Sequence, residues 1–158
     1  TLVLGGWGGF VSGISSLEML QLDETNAKLI PTKSFDVSTD YFGDGVTSVN
    51  NTVYLLTWLS QKVLCFEIDK DKKFSQKEVK SIPENALLNG QGWGLSHDSK
   101  GNLYMGDGSH KIYVIDTVSW KLIRTIETYE LATGTKSFVD RLNELEIVDD
   151  KWVFANVH

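Results

Sequence analysis

Hydrophobic and polar positions alternate along most of the chain in short runs, and no stretch sustains a helical period. Val53–Trp58, Lys62–Ile68 and Phe74–Ile82 read as consecutive strands, as do Leu103–Asp107, Lys111–Ile115 and Lys121–Glu127. Polar turns divide them at Asn50-Asn51-Thr52, Ser99-Lys100-Gly101-Asn102 and Asp149-Asp150-Lys151, and Asp69 and Asp116 lead further turns. Residues 1–40 fit strands at Leu2–Leu4, Ser16–Leu22 and Leu29–Phe35, with a turn at Asp23–Asn26. Glu130–Asp140 shows no alternation and reads as a loop. Only two prolines occur, so that, apart from Pro31 within Leu29–Phe35, strand interiors run uninterrupted.

One plan recurs three times. Gly43–Thr47, Gly92–Ser96 and Leu142–Glu146 each precede a polar turn and a second strand, the last of these being Trp152–His158. Val46, Leu95 and Leu145 align at a period of about 50 residues, which marks a repeat architecture. Four short strands per repeat is the sequence form of a propeller blade. The expected fold is therefore all-β, a β-propeller with blades of about 50 residues. The chain divides as one partial propeller domain over 1–158. Residues 1–40 end one blade, 41–90 and 91–140 form two more, and 141–158 start the next. About three blades are present, while a closed propeller needs at least four. The chain is thus expected to be a piece of a longer polypeptide, with the missing blades supplied by its remainder or by partner subunits.

Composition narrows the function classes. A hydrophobic fraction of 41% with 11% aromatics is globular rather than disordered. The net charge is −6 and the basic residues are scattered, which argues against nucleic acid as a partner. No apolar run approaches the ~20 residues of a membrane-spanning helix. The single cysteine, Cys65, precludes an intrachain disulfide or a cysteine metal cluster, and its apolar flanks predict a buried thiol. No His pair has metal-ligand spacing, so no metal and no cofactor is expected. His97 and His110 lie in or near turns and read as surface residues. Gly5-Gly6-Trp7-Gly8-Gly9 lacks the Lys-Ser/Thr and the helix of a phosphate loop.

Positions equivalent across blades converge at the channel mouth of a propeller. One such set is Asp44, Trp93 and Asn143; a second is Trp58, Asp107 and His158. Two tryptophans, two carboxylates, an amide and an imidazole suit a small polar ligand with an apolar stem. The same residues also fit purely structural roles, as blade-to-blade packing for the tryptophans and as turn residues for the aspartates.

The ordered segments carry a resemblance. Tyr41-Phe42-Gly43-Asp44-Gly45-Val46-Thr47, Leu56-Thr57-Trp58, Gly92-Trp93-Gly94-Leu95 and Gly106-Asp107-Gly108-Ser109 resemble segments of the plant- and bacterial-type glutaminyl cyclases. So do Arg141-Leu142-Asn143-Glu144-Leu145-Glu146 and Ala155-Asn156-Val157. That resemblance implies a five-bladed propeller and a glutaminyl-peptide cyclotransferase, which converts the N-terminal glutamine of a peptide to pyroglutamate and releases ammonia. It implies Asp44 and Asn143 as catalytic residues. It implies Phe42, Trp58, Trp93, Asp107, Glu144 and His158 as substrate-binding residues, and a secretory or periplasmic setting; the residues themselves leave the compartment open, an organellar assembly included. Asp44 stands where the family has glutamate, and His158 where it has a cage tryptophan. Those two departures support an alternative, a catalytically degenerate propeller that serves as a binding or scaffold subunit of a larger assembly.

Overall fold

In a computed structural model the chain forms strands and turns, described for residues 2–8, 15–132 and 134–158. Strands β1 (Leu2–Gly8), β2 (Ser15–Asp23) and β3 (Lys28–Asp36) make a first antiparallel sheet in the order β1-β2-β3. Gly9, the last residue of the glycine-rich run, lies outside the described residues. Strands β4 (Gly43–Val49), β5 (Thr52–Thr57), β6 (Lys62–Ile68) and β7 (Phe74–Ser81) make the second sheet in sequence order. The third comprises β8 (Leu95–His97), β9 (Leu103–Gly106), β10 (Lys111–Asp116) and β11 (Lys121–Glu127), again neighbour to neighbour. Strands β12 (Tyr129–Ala132) and β13 (Thr135–Phe138) pair as a hairpin, and β14 (Leu142–Val148) pairs with β15 (Trp152–Val157). None of the sheets closes on itself.

Sheet stacking follows from side-chain alternation, because successive residues of a strand face opposite sides. In β5, Val53 and Leu55 pack with Leu17, Met19 and Val37 of the first sheet's layer. Tyr54 and Leu56 of the same strand pack with Leu95, Leu103, Met105, Tyr113 and Ile115 of the third sheet. β6 repeats this division: Leu64 and Phe66 face one way, Val63 and Cys65 the other. Tyr104, Ile112 and Val114 then cover Leu142 and Leu145 of β14. Each fully buried Leu, Ile, Val or Phe in these layers contributes roughly 1.5–3 kcal/mol before the entropy of ordering it. Burial also pushes the Cys65 thiol up to about 11. The outer layer ends differently, since Trp152 and Phe154 of β15 are 64% and 62% exposed.

The first strands of successive sheets are neighbours in turn: β1 lies beside β4, β4 beside β8, and β8 beside β14. Polar contacts fasten them. Thr47 Oγ1 meets His97 Nδ1 at 2.8 Å, and one repeat later the Ile147 N–H donates to Ser96 Oγ at 3.1 Å. The turns are held by carboxylates that accept backbone N–H groups ahead of them. Asp69 accepts from Asp71 and Lys73, both at 2.9 Å, and Asp116 accepts from Val118 at 2.7 Å.

Two expectations need correction. Glu130–Asp140 is not a plain loop: it holds most of the β12–β13 hairpin, with Tyr129 opposite Phe138 and Glu130 opposite Ser137 (residue 133 lies outside the described residues). Thr135–Phe138 is exposed throughout, so no buried face imposes alternation on its sequence. Lys136 Nζ lies 4.1 Å from the Tyr129 ring centroid and 5.2 Å from that of Phe138, which ties the two strands through cation–π contacts. The histidines are the other correction. His97 is half-buried on Thr47, and His110 is half-buried between Asp140, at 2.9 Å, and the Phe138 ring, stacked at 4.1 Å. Each joins two elements. Among the described residues no helix is long and apolar enough to cross a membrane.

Candidate functional site

The site begins with two irregularities of register. β4 and β5 pair Gly43 with Thr57 and Val46 with Leu55, so the ladder slips between these pairs, and Asp44 and Gly45 occupy the slip. β14 and β15 pair Leu142 with Val157 and Leu145 with Ala155, and here Asn143 and Glu144 occupy it. A bulge of this kind re-aims side chains that regular pleating would point elsewhere. The backbone groups it frees still need partners. Glu144 N–H donates to Asn156 Oδ1 at 2.8 Å, and Gly43 N–H donates to Ser15 Oγ at 2.9 Å. The equivalent place in the third sheet precedes β8, where Trp93 N–H donates to Gly106 O and Gly106 N–H to Gly94 O, both at 2.9 Å.

Two glycines let these three places meet. A Cβ on Gly45 would lie 2.5 Å from Trp93 O and Leu95 N, and one on Gly94 would lie 2.0 Å from Asn143 O. Backbone stands on both sides, so no flexible side chain can yield. Only glycine permits this approach. It brings Asp44, Trp93 and Asn143 to one end of adjoining first strands, together with Glu144.

The electrostatics of that end are unusual for exposed turns. Burial pushes the Asp44 carboxyl up to about 6, and among the described residues no hydrogen bond reaches its oxygens. Glu144 is pushed up to about 7, first by desolvation of its carboxyl and then by the negative charge of Asp44. Much of the Glu144 residue stays in contact with water, so its shift defines a titration window and not a stabilisation energy. Glu144 thus senses the charge of Asp44, while the Asp44 shift comes from burial. Near neutral pH the pair holds a proton that it can give up or take back.

An aromatic wall flanks them. Phe42 meets Trp58 edge-on, with centroids 5.8 Å apart, and Trp93 meets His158 likewise at 6.0 Å. Between the tryptophans stands Gln91, whose Oε1 accepts from Trp58 Nε1 at 2.8 Å and from Trp93 Nε1 at 2.9 Å. The sequence reading passed over Gln91. Its only local signal is its place before Gly92-Trp93, in a segment without alternation. Asn156 belongs to the Ala155-Asn156-Val157 segment, but its support of the Glu144 bulge depends on the slip in register.

Asp107 stands apart from this grouping. It is 1% exposed, and its carboxylate accepts from Tyr113 Oη at 2.8 Å, Ser109 N–H at 3.0 Å, Ser109 Oγ at 2.5 Å and Asn89 N–H at 3.2 Å. Those bonds anchor the turn whose Gly108 packs beneath Trp93: a Cβ on Gly108 would lie 2.6 Å from Trp93 Cε2. The structure thus brings together Asp44, Trp93, Asn143 and Glu144, with Phe42, Trp58 and His158 on the flanking wall. Asp107 lies beneath that wall as a fully bonded support. Among the described residues no group of three or more His, Cys, Asp or Glu side chains is placed to hold a metal ion.

Comparison with known proteins gives two positive findings. The sequence profile of a family described as Glutamine cyclotransferase matches residues 8–158. Among solved structures, the glutaminyl cyclase of Myxococcus xanthus is similar over 98% of this chain, with a TM-score of 0.71 at 19% sequence identity. The chain spans 56% of the length of that protein. No match occurs among curated protein sequences.

Proposed function

The chain belongs to the glutamine cyclotransferase family, and from that premise we propose that the Asp44 end of the molecule cyclises N-terminal glutamine of peptides to pyroglutamate. The observation that carries this reading is the neighbouring carboxyls of Asp44 and Glu144, both raised toward neutrality, at the strand ends that Trp93 shares. Cyclisation needs a neutral amine near an amide carbon, and a carboxyl able to carry a proton between two nitrogens.

In the proposed step the α-amine nitrogen attacks the side-chain amide carbon, and the new C–N bond closes the lactam ring. Asp44, ionised above about pH 6, takes one N–H proton from the attacking nitrogen. It returns that proton to the departing amide nitrogen as the old C–N bond breaks and ammonia leaves. No net proton is gained or lost, so one carboxyl serves as base and then as acid. Asn143 is assigned as the amide donor to the developing oxyanion, because preorganised donors are the usual source of such stabilisation. Trp58, Trp93, Phe42 and His158 are assigned to the apolar stem of the glutamine side chain and the residue that follows it. Glu144, raised in part by the charge of Asp44, is assigned to the substrate's polar end, and Asp107 is assigned a supporting contact under Trp93.

We further assign the sheets to blades of a propeller, five-bladed in the family, with divisions at 1–40, 41–90, 91–140 and 141–158. The succession of neighbouring first strands supports this, as does the exposure of β15, against which a further strand or sheet would pack. The blades beyond these are supplied by the rest of the polypeptide or by partner subunits.

The test is ammonia release and the accompanying mass loss from a peptide beginning Gln-Phe, using the intact protein beside Asp44→Glu and Asp44→Ala. Activity in the wild type that Asp44→Ala abolishes is the expected result. Silence in all three would overturn the cyclisation reading and leave the scaffold role in its place.

A further inference from the structure

We infer that Gln91 is a positioning residue that fixes both tryptophans of the aromatic wall through a single acceptor atom. Trp58 follows β5 and Trp93 precedes β8, so setting one ring against the other takes a contact across two separate segments. Gln91 Oε1 does so, at 2.8 Å and 2.9 Å from the two indole nitrogens. An amide oxygen has two lone pairs, so it satisfies both donors at once. An indole N–H can only donate. With each donor engaged by Gln91, neither indole N–H is left to hydrogen-bond a ligand.

The backbone holds Gln91 where this is possible. The next residue, Gly92, donates its N–H to Trp58 O at 2.7 Å. A Cβ on Gly92 would lie 2.5 Å from Thr57 O and 2.6 Å from Leu56 Cγ, so the chain passes in contact with the end of β5. Trp93 N–H is in turn tied to Gly106 O at 2.9 Å. Gln91 is therefore clamped between the two residues it orients.

The part of this inference that concerns substrate rests on the cyclisation reading; the part that concerns the rings does not. In the intact protein labelled with nitrogen-15, the Trp58 and Trp93 indole N–H resonances are assigned by Trp→Phe replacement. Gln91→Leu, of similar size but without an acceptor, is expected to move both resonances upfield, and Gln91→Glu to keep both near their wild-type positions. Should Gln91→Leu not fold, Gln91→Asn draws the acceptor back by one carbon and is expected to move the same two signals. Unchanged indole signals in whichever of Gln91→Leu and Gln91→Asn folds would overturn the inference.

With a Gln-Phe peptide, Gln91→Leu is expected to raise KM about tenfold, the order of one well-placed aromatic contact, with kcat little changed. Gln91→Glu is expected to restore KM and to displace the pH profile upward. If the rings shift but KM does not, the assignment of these rings to substrate is overturned. If no peptide is cyclised while the indole signals move as stated, the cyclisation reading falls and the role of Gln91 stands.

Discussion

Gly43-Asp44-Gly45 and Gly106-Asp107-Gly108 are the same tripeptide, and the molecule uses them in opposite ways. Asp107 accepts four hydrogen bonds, from Tyr113, Ser109 twice and Asn89, and is sealed from solvent. Asp44 sits in a register slip, desolvated, with no such partners among the described residues and with Glu144's charge nearby. The four donors tie Asp107 to the turn it anchors. Asp44, desolvated without donors, keeps its proton nearer neutral pH, as the proposed acid–base role requires. Glycines on either side allow both outcomes, and the partner strands decide between them.

The sharpest way to break this comparison is to truncate each carboxylate and measure two things. Asp44→Ala is expected to lower the rate of glutamine cyclisation by about 10²–10⁴-fold, the usual contribution of a positioned acid–base group. Its denaturant midpoint should stay at or above the wild type, since a desolvated carboxyl is removed. Asp107→Ala is expected to do the reverse. Tyr113 Oη and the Asn89 and Ser109 N–H groups lose their acceptor, costing about 3 kcal/mol of stability in a denaturant titration. The fraction still folded should retain its turnover. Equal stability losses in the two variants would erase the distinction.

A smaller effect appears in pH dependence. Asp44 and Glu144 bind protons more tightly folded than unfolded, with folded values of about 6 and about 7 against ordinary values of 3.8 and 4.5. Their contribution therefore favours the folded state fully at acid pH and is lost as pH rises through that window. The melting temperature of the wild type should fall from pH 4 toward pH 7 relative to an Asp44→Asn, Glu144→Gln double variant. Smallest of all is the coupling itself. Asp44→Asn removes a negative charge beside Glu144 and should lower its pKa, read by carbon-13 titration of the carboxyl signals. An unmoved Glu144 would mean that its burial acts alone.

The strands were legible in the sequence where both of their faces are covered or where turns frame them tightly. Lys62–Ile68 and Lys121–Glu127 coincide with β6 and β11, and the Asp69 and Asp116 turns stand where the sequence marks them. Exposed pairing left no trace, which is why the β12–β13 hairpin passed for a loop. The gathering of Asp44, Trp93 and Asn143 followed from the repeat alone, since equivalent residues of neighbouring units share an end of the fold. What the repeat did not disclose was the bulges, because a slip in register depends on the partner strand and not on the residue that slips. For the same reason Asp44 and Asp107 looked alike, and Gln91, an amide in an irregular segment, gave no periodic signal at all.

Cys65 has a practical consequence of a different kind. Its thiol lies between the second and third sheets and ionises only near 11, so in the closed molecule it is close to inert toward alkylating reagents. Any labelling that does occur must wait for those two sheets to part. The rate at which a maleimide or iodoacetamide consumes this one sulfur is therefore a clock for the breathing of a single interlayer. It can be read without touching the end of the molecule where the carboxyl pair resides.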